Sequence, residues 1–313
     1  MRASRTALIL ALVSGLDGCA TNRVDTVEVP YIDAHSHIVS SMTPDEEIAR
    51  FRRAGLAGVA IMHPDPEALQ DIAARNPGYV IPFISAARTP EMRGFRLGED
   101  TASHYAALQA AGATCGFGEI PTRLVPNPDP SDDIALTNRF RWKIYDLANA
   151  RGMAVNVHVS LETPQVIAAA ERIARAHPNM KLVLAHAGWV AGADVIGRLM
   201  AAHPNIYADL SVRLDPVAGW SAPGTTGPAV SNGISILDAN GSLQPAWRTL
   251  LERFPDRFLF AMDITGADRP EQLEALLATA KVALGALPIN AQHAIAHGNF
   301  ERLVRGCKMV PRR

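Results

Sequence analysis

Residues 154–188 read AVNVHVSLETPQVIAAAERIARAHPNMKLVLAHAG. This stretch joins a short β-branched run (154–158), an amphipathic segment (163–176), a His-Pro-Asn break and a second apolar run (181–185). Strands that are apolar on both faces belong in a parallel sheet covered by helices. A proline just past a helical segment stops the helix before the next strand begins. The stretch is therefore a β–α–β unit, and each of its strands runs into a histidine, His158 and His186.

The same unit repeats along the chain. Further candidate strands lie at 30–34, 57–62, 80–85, 114–120, 206–210 and 258–262. Helical patterns follow the strands at 45–54, 66–75, 102–111, 134–151, 193–202, 243–253 and 269–283. Asn76-Pro77-Gly78, His203-Pro204-Asn205 and Phe254-Pro255-Asp256 repeat the proline stop. Eight such repeats close naturally as an α/β barrel of the (β/α)8 TIM type, with an open doubly wound sheet as the alternative. No linker divides residues 30–313, which read as one domain. The longest irregular stretch, 212–241, follows the seventh strand. On a barrel it would overhang the face built by the strand-to-helix loops.

Composition excludes several classes. The chain has 313 residues, 48% hydrophobic and 19% charged, with net charge −1. That is ample apolar material for a core and too little charge for a disordered chain. A near-neutral balance, with pI about 6.8, argues against a nucleic-acid partner. Three cysteines are too few for a disulfide scaffold. Cys115 and Cys307 are expected as free thiols, Cys115 buried.

Residues 1–19 read as an export signal, with Arg2 and Arg5 before a short apolar run too brief to span a bilayer. Leu16-Asp17-Gly18-Cys19 resembles the bacterial lipoprotein processing box, which implies a lipid anchor at Cys19 and a place in the periplasm or cell envelope. A cleaved signal without lipid is the first alternative, and a cytoplasmic chain with a chance apolar start the second. Residues 20–29 then form a linker, and the lipid is the only membrane contact expected.

The chemistry collects at strand ends. The first strand ends Asp33-Ala34-His35-Ser36-His37, and residues two apart in an extended chain point the same way. Strands four, five, six and eight run into Glu119, His158, His186 and Asp263. On a barrel these ends converge on one mouth, and His, Glu and Asp are the ligand types that zinc and similar cations select. Asp209, at the end of strand seven, is expected to support one of the histidines, and Ser211 to face the pocket. His63, His177 and His203 read as structural, and His104, His293 and His297 as remote from the mouth.

These motifs resemble the amidohydrolase superfamily, nearest to its amidohydrolase-related (amidohydrolase-2) branch, over roughly residues 30–305. The closing segment Ala296-His297-Gly298-Asn299-Phe300-Glu301-Arg302-Leu303 resembles that branch's terminal helix. The resemblance implies His35 and His37 as metal ligands and Asp263 as both ligand and proton shuttle. It implies His158 and His186 as ligands or catalytic groups, and Glu119 as a bridging carboxylate. It implies one or two divalent ions, zinc first and manganese as the alternative. The reaction it implies is hydrolysis of an amide, ester or lactone by activated water. Non-oxidative decarboxylation is the runner-up, and a non-catalytic metal- or ligand-binding lipoprotein the reading from another class. Arg88, Arg123 and Arg213 follow strands three, four and seven, and a guanidinium fork suits a carboxylate. The expected substrate is a small anionic molecule. Self-association is compatible with all of this.

Overall fold

The computed structural model describes residues 28–38, 42–86, 97–121, 136–215, 234–264 and 272–307. Within them eight parallel strands pair in chain order. They are β1 (Ile32–Ser36), β2 (Gly58–His63), β3 (Val80–Ile84), β4 (Gly116–Ile120), β5 (Ala154–Val157), β6 (Lys181–Leu184), β7 (Ile206–Asp209) and β8 (Phe258–Leu259). The last strand meets the first. Ala34 N–H donates to the Phe260 carbonyl at 3.0 Å, His37 N–H to the Ile264 carbonyl at 3.0 Å, and Asp263 N–H to the His35 carbonyl at 2.7 Å. The sheet is therefore a closed (β/α)8 TIM barrel, as the alternation of patterns predicts.

The helices alternate with the strands: α1 (Pro44–Arg53), α2 (Pro66–Arg75), α3 (Thr101–Ala110), α4 (Arg139–Arg151), α5 (Pro164–Ala176), α6 (Ala193–Ala202), α7 (Pro245–Arg253) and α8 (Leu273–Gly285). Their starts follow from local chemistry. Thr43 and Glu46 form a capping box ahead of α1, Asp65 accepts from two backbone N–H groups at α2, and Thr163 caps α5, each followed by a proline at the first helical position. Their ends do too. His177 donates Nδ1–H to the Ile173 carbonyl at 2.9 Å and faces Asp146 through Nε2 at 3.0 Å, which is the structural role expected of it. The sequence starts the fourth helix at 134, whereas α4 begins at Arg139, where Asn138 caps it through Phe140 N–H. The eighth strand is shorter than 258–262 because Phe260 turns its N–H to the Ile295 carbonyl, 2.9 Å away.

Two apolar layers form the core. The outer one lies between strands and helices and includes Val59, Ile61, Phe117, Leu182 and Phe258. The inner one fills the barrel with Ala34, Ala60, Met62, Phe83, Ala154, Val183, Leu259 and Ala261. Four of these are alanines, and Gly116 keeps its place there because a Cβ would collide with the Phe83 ring. The remaining space is filled from below. After α9 (Ile289–His293) and a wide turn (Ala294–Gly298), α10 (Asn299–Val304) pushes Phe300 and Leu303 into the inner layer, with the Phe300 ring 5.9 Å from that of Phe83. Asn299 ties this plug to the start of β8 by donating to the Pro255 and Phe258 carbonyls, both at 2.7 Å.

The cysteines correct one expectation. Cys115, just before β4, and Cys307, just after α10, form a disulfide across 192 residues, with Cα atoms 5.1 Å apart. Sequence distance conceals the pairing; the plug brings the chain end to the bottom of β4.

Residues 1–27 lie outside the described residues, and with them the export signal, most of the linker and Cys19. Among the described residues no helix is long and apolar enough to cross a membrane.

Candidate metal centre

Five strand ends deliver their polar side chains to one place at the C-terminal mouth of the barrel. His35 lies in β1 and His37 one residue beyond it. Glu119 lies in β4, His158 follows β5, His186 opens the turn after β6 (Ala185–Gly188), and Asp263 follows β8. His35 Nε2 and His37 Nε2 are 3.2 Å apart. Asp263 Oδ1 stands 3.6 Å from the first and 3.4 Å from the second. Beside them Glu119 contacts His158 Nδ1 and lies 3.2 Å from His186 Nε2, which is itself 3.2 Å from His158 Nδ1. Glu119 also reaches the first group, with Oε1 3.8 Å from His35 Nε2 and Oε2 3.8 Å from His37 Nε2. The two triads, His35–His37–Asp263 and Glu119–His158–His186, each bring one donor atom per residue within coordination range of a shared cation.

Hydrogen bonds on the far side of the rings decide what faces inward. His37 donates Nδ1–H to the Met62 carbonyl at 3.1 Å. His35 donates Nδ1–H to Asp209 at 3.0 Å. His186 Nδ1 is 2.8 Å from Ser211 Oγ, whose own proton goes to Asp209, so the histidine is the donor. With each ring proton committed outward, the Nε2 atoms of His35, His37 and His186 present lone pairs to one another and to carboxylate oxygens. Asp263 Oδ1 is buried without a hydrogen-bond partner among the described residues. Such a convergence of lone pairs is repulsive by itself and fits a divalent cation.

Electrostatics set the charge of each group. Burial works against charge on His35, but the Asp209 carboxylate, aided by Asp263 and Asp33, outweighs it and raises the histidine's pKa. Burial drives His186 down to about 3, so that ring stays neutral. Burial pushes Asp209 upward, yet its bond and attraction to His35 bring it down to about 2. Asp263 likewise resists burial through His35 and His37 and remains well below the usual carboxylate range.

Three positioning features escaped the strand-end reading. Asp33 accepts from His35 N–H and Met262 N–H, both at 3.0 Å, and from the Ser36 hydroxyl, which in turn accepts from Ile264 N–H at 3.1 Å; β1 thereby fixes the segment that carries Asp263. Asp33 shares the face of His35 by simple alternation, a legible but unused signal. Asn156 donates to Asp209 at 2.8 Å from two residues before His158. The third is a left-handed turn after β6. His186, Ala187 and Trp189 have φ of 54°, 46° and 59°, a conformation unfavourable for side chains with Cβ. It sets the Trp189 ring against those of His158 and His186, at 5.8 and 5.1 Å. Val212 and Ile234 pack on Trp189, so both described ends of the long seventh loop lie beside the site.

Arg213 is buried, donates to the Ala191 carbonyl at 2.9 Å and stacks 4.6 Å over Trp247; burial lowers its pKa to about 9. Arg88 and Arg123 lie outside the described residues. His63 holds the Asp65 backbone.

Comparison with known proteins agrees with the geometry. The chain matches the Amidohydrolase family model Amidohydro_2 over residues 52–306. That match begins after β1, so His35 and His37 rest on the geometry alone. An amidohydrolase from Burkholderia multivorans superposes with TM-score 0.53 at 14% identity, covering 88% of this chain and 99% of that one. A putative 2-pyrone-4,6-dicarboxylic acid hydrolase from Pseudomonas putida gives 0.57 at 13%, covering 89% and 98%. Dihydroorotase from Saccharomyces cerevisiae gives 0.53 at 14%, covering 89% and 84%. No curated protein matches the sequence. At these identities the likeness concerns the fold.

Proposed function

The chain belongs to the amidohydrolase family, and we propose that it hydrolyses an amide, ester or lactone in a small carboxylate-bearing molecule with one or two divalent ions, zinc first. The observation that carries this reading is the inward lone pairs of His35, His37 and Asp263 facing Glu119, His158 and His186. A bound divalent ion would polarise the substrate carbonyl and lower the pKa of a neighbouring water to about 7. His35, His37 and Asp263 would hold one ion; His158 and His186 would hold a second, and Glu119 would add its carboxylate to the donor set. Asp263, ionised and at the edge of the mouth, takes the proton of the attacking water and passes it to the leaving group. His186, neutral and fixed through Nδ1, holds its Nε2 toward the reacting centre. Trp189 walls the site with an apolar face.

The anionic substrate is read from the arginines of the strand-end loops, Arg88 and Arg123; Arg213, buried against Trp247, does not count among them. The acid-bearing cyclic compound named for the Pseudomonas putida neighbour makes lactone carboxylates the first compounds to try. The assay is hydrolysis of lactones and N-acylated carboxylic acids after chelation and after return of zinc or manganese. Activity lost and then restored supports the reading. Chelator-resistant hydrolysis contradicts it, and release of carbon dioxide in place of hydrolysis assigns the chain to decarboxylation.

We also place the protein outside the cytoplasm, lipid-anchored at Cys19. The basic and apolar start of the sequence supports this, and so does the Cys115–Cys307 disulfide, a bond that persists in oxidising compartments.

A further inference from the structure

Asp209 belongs to neither triad, yet its carboxylate accepts five hydrogen bonds among the described residues. It is fully buried at the end of β7. Its Oδ2 accepts from His35 Nδ1 at 3.0 Å and from Asn156 Nδ2 at 2.8 Å. Its Oδ1 accepts from His186 N–H at 3.0 Å, from Ser211 N–H at 3.1 Å and from the Ser211 hydroxyl. A carboxylate has about four lone-pair directions, and five donors occupy them. Asp209 therefore has no lone pair to give a metal, although it lies within coordination range of His35 and His186.

These bonds have a consequence for both triads. One oxygen fixes His35 directly. The other fixes His186 twice, through its backbone N–H and through the Ser211 hydroxyl that receives the Nδ1 proton. We infer that Asp209 is a single positioning residue that sets the tautomer and ring orientation of one histidine in each triad, His35 directly and His186 by way of Ser211. The two halves of the centre thus share one anchor, and β7, which supplies no ligand, governs both. Outer partners of this kind typically change metal affinity by about 10–100-fold.

The inference has a ligand-free arm and a metal arm, and only the second rests on the proposed function. In the ligand-free arm, the full chain is labelled with 15N-histidine and treated with chelator, and the imidazole nitrogens are followed by nuclear magnetic resonance. Asp209→Asn moves the resonances of both His35 and His186; Ser211→Ala moves those of His186 and leaves His35 in place. In the metal arm, zinc alone is titrated against a competing chelator. Asp209→Asn weakens uptake about 10–100-fold, and Ser211→Ala weakens it less because His35 stays anchored. Unmoved imidazoles in Asp209→Asn, or equal movement of both rings in Ser211→Ala, overturn the inference. If Asp209→Asn does not fold, Ser211→Ala decides alone, since an unmoved His186 is incompatible with the relay. A wild-type chain that takes up no zinc overturns the metal reading, while the imidazole pattern still decides the role of Asp209.

Discussion

The two ends of this barrel are built on opposite terms. At the floor, Phe300 and Leu303 enter an interior of alanines, Asn299 satisfies two strand carbonyls, and a disulfide joins the plug to β4. At the mouth, carboxylates and imidazoles are buried together, and all five of the non-glycine residues with positive φ among those described lie there: His186, Ala187, Trp189, Val212 and Asp263. Left-handed backbone at such residues costs of order 1–3 kcal/mol each and persists where surrounding contacts enforce it. The floor therefore stabilises a fold whose mouth is strained and charge-dense, the division of labour expected of this architecture.

Substitutions at each end separate the two roles. The largest effect is expected from His35→Ala, which removes a proposed ligand and the partner of Asp209; metal content and hydrolysis should both fall to background, measured by elemental analysis and turnover. Asp263→Asn keeps an oxygen near the ion and loses the proton shuttle. It should retain metal while turnover drops about 10²–10⁴-fold, and full activity would refute the assigned role. Cys307→Ser breaks the floor only. Denaturant unfolding should show a loss of about 2–4 kcal/mol, with zinc per folded chain unchanged; a parallel loss of zinc would erase the contrast between the ends. The smallest effect is graded. His35 carries a raised pKa, so protons compete with the metal at a higher pH than for an ordinary histidine, whereas His186 stays neutral and does not compete. As pH falls, zinc affinity should therefore begin to decline while the pH is still above 6.5, by up to about tenfold per unit for each proton displaced. A decline beginning only near pH 5 would contradict the Asp209–His35 pairing.

The sequence conveys much of this because period and punctuation are local. The apolar run at 181–185, the proline at 178 and the helix at 164–176 each follow from near neighbours, so eight strands emerge within a few residues of their limits. The candidate ligand set is legible for the same reason: His35, His158 and His186 each terminate such a run. What escapes is set by distance. Cys115 and Cys307 meet only because α10 folds beneath the barrel. Asp33 reaches Met262, and Asp209, expected to support one histidine, serves two, by reaching His35 across the barrel and His186 N–H just past the neighbouring strand. The left-handed turn at His186 depends on Asp209 capturing its N–H, which no local pattern announces.

The most direct test of the account is the metal content of the folded full-length chain, purified with zinc present and counted per polypeptide. One or two ions per chain in the wild type, and none in a folded His35→Ala, His186→Ala double variant, is the predicted result. A wild-type chain that folds and stays metal-free, or a double variant that keeps its full complement, would contradict it.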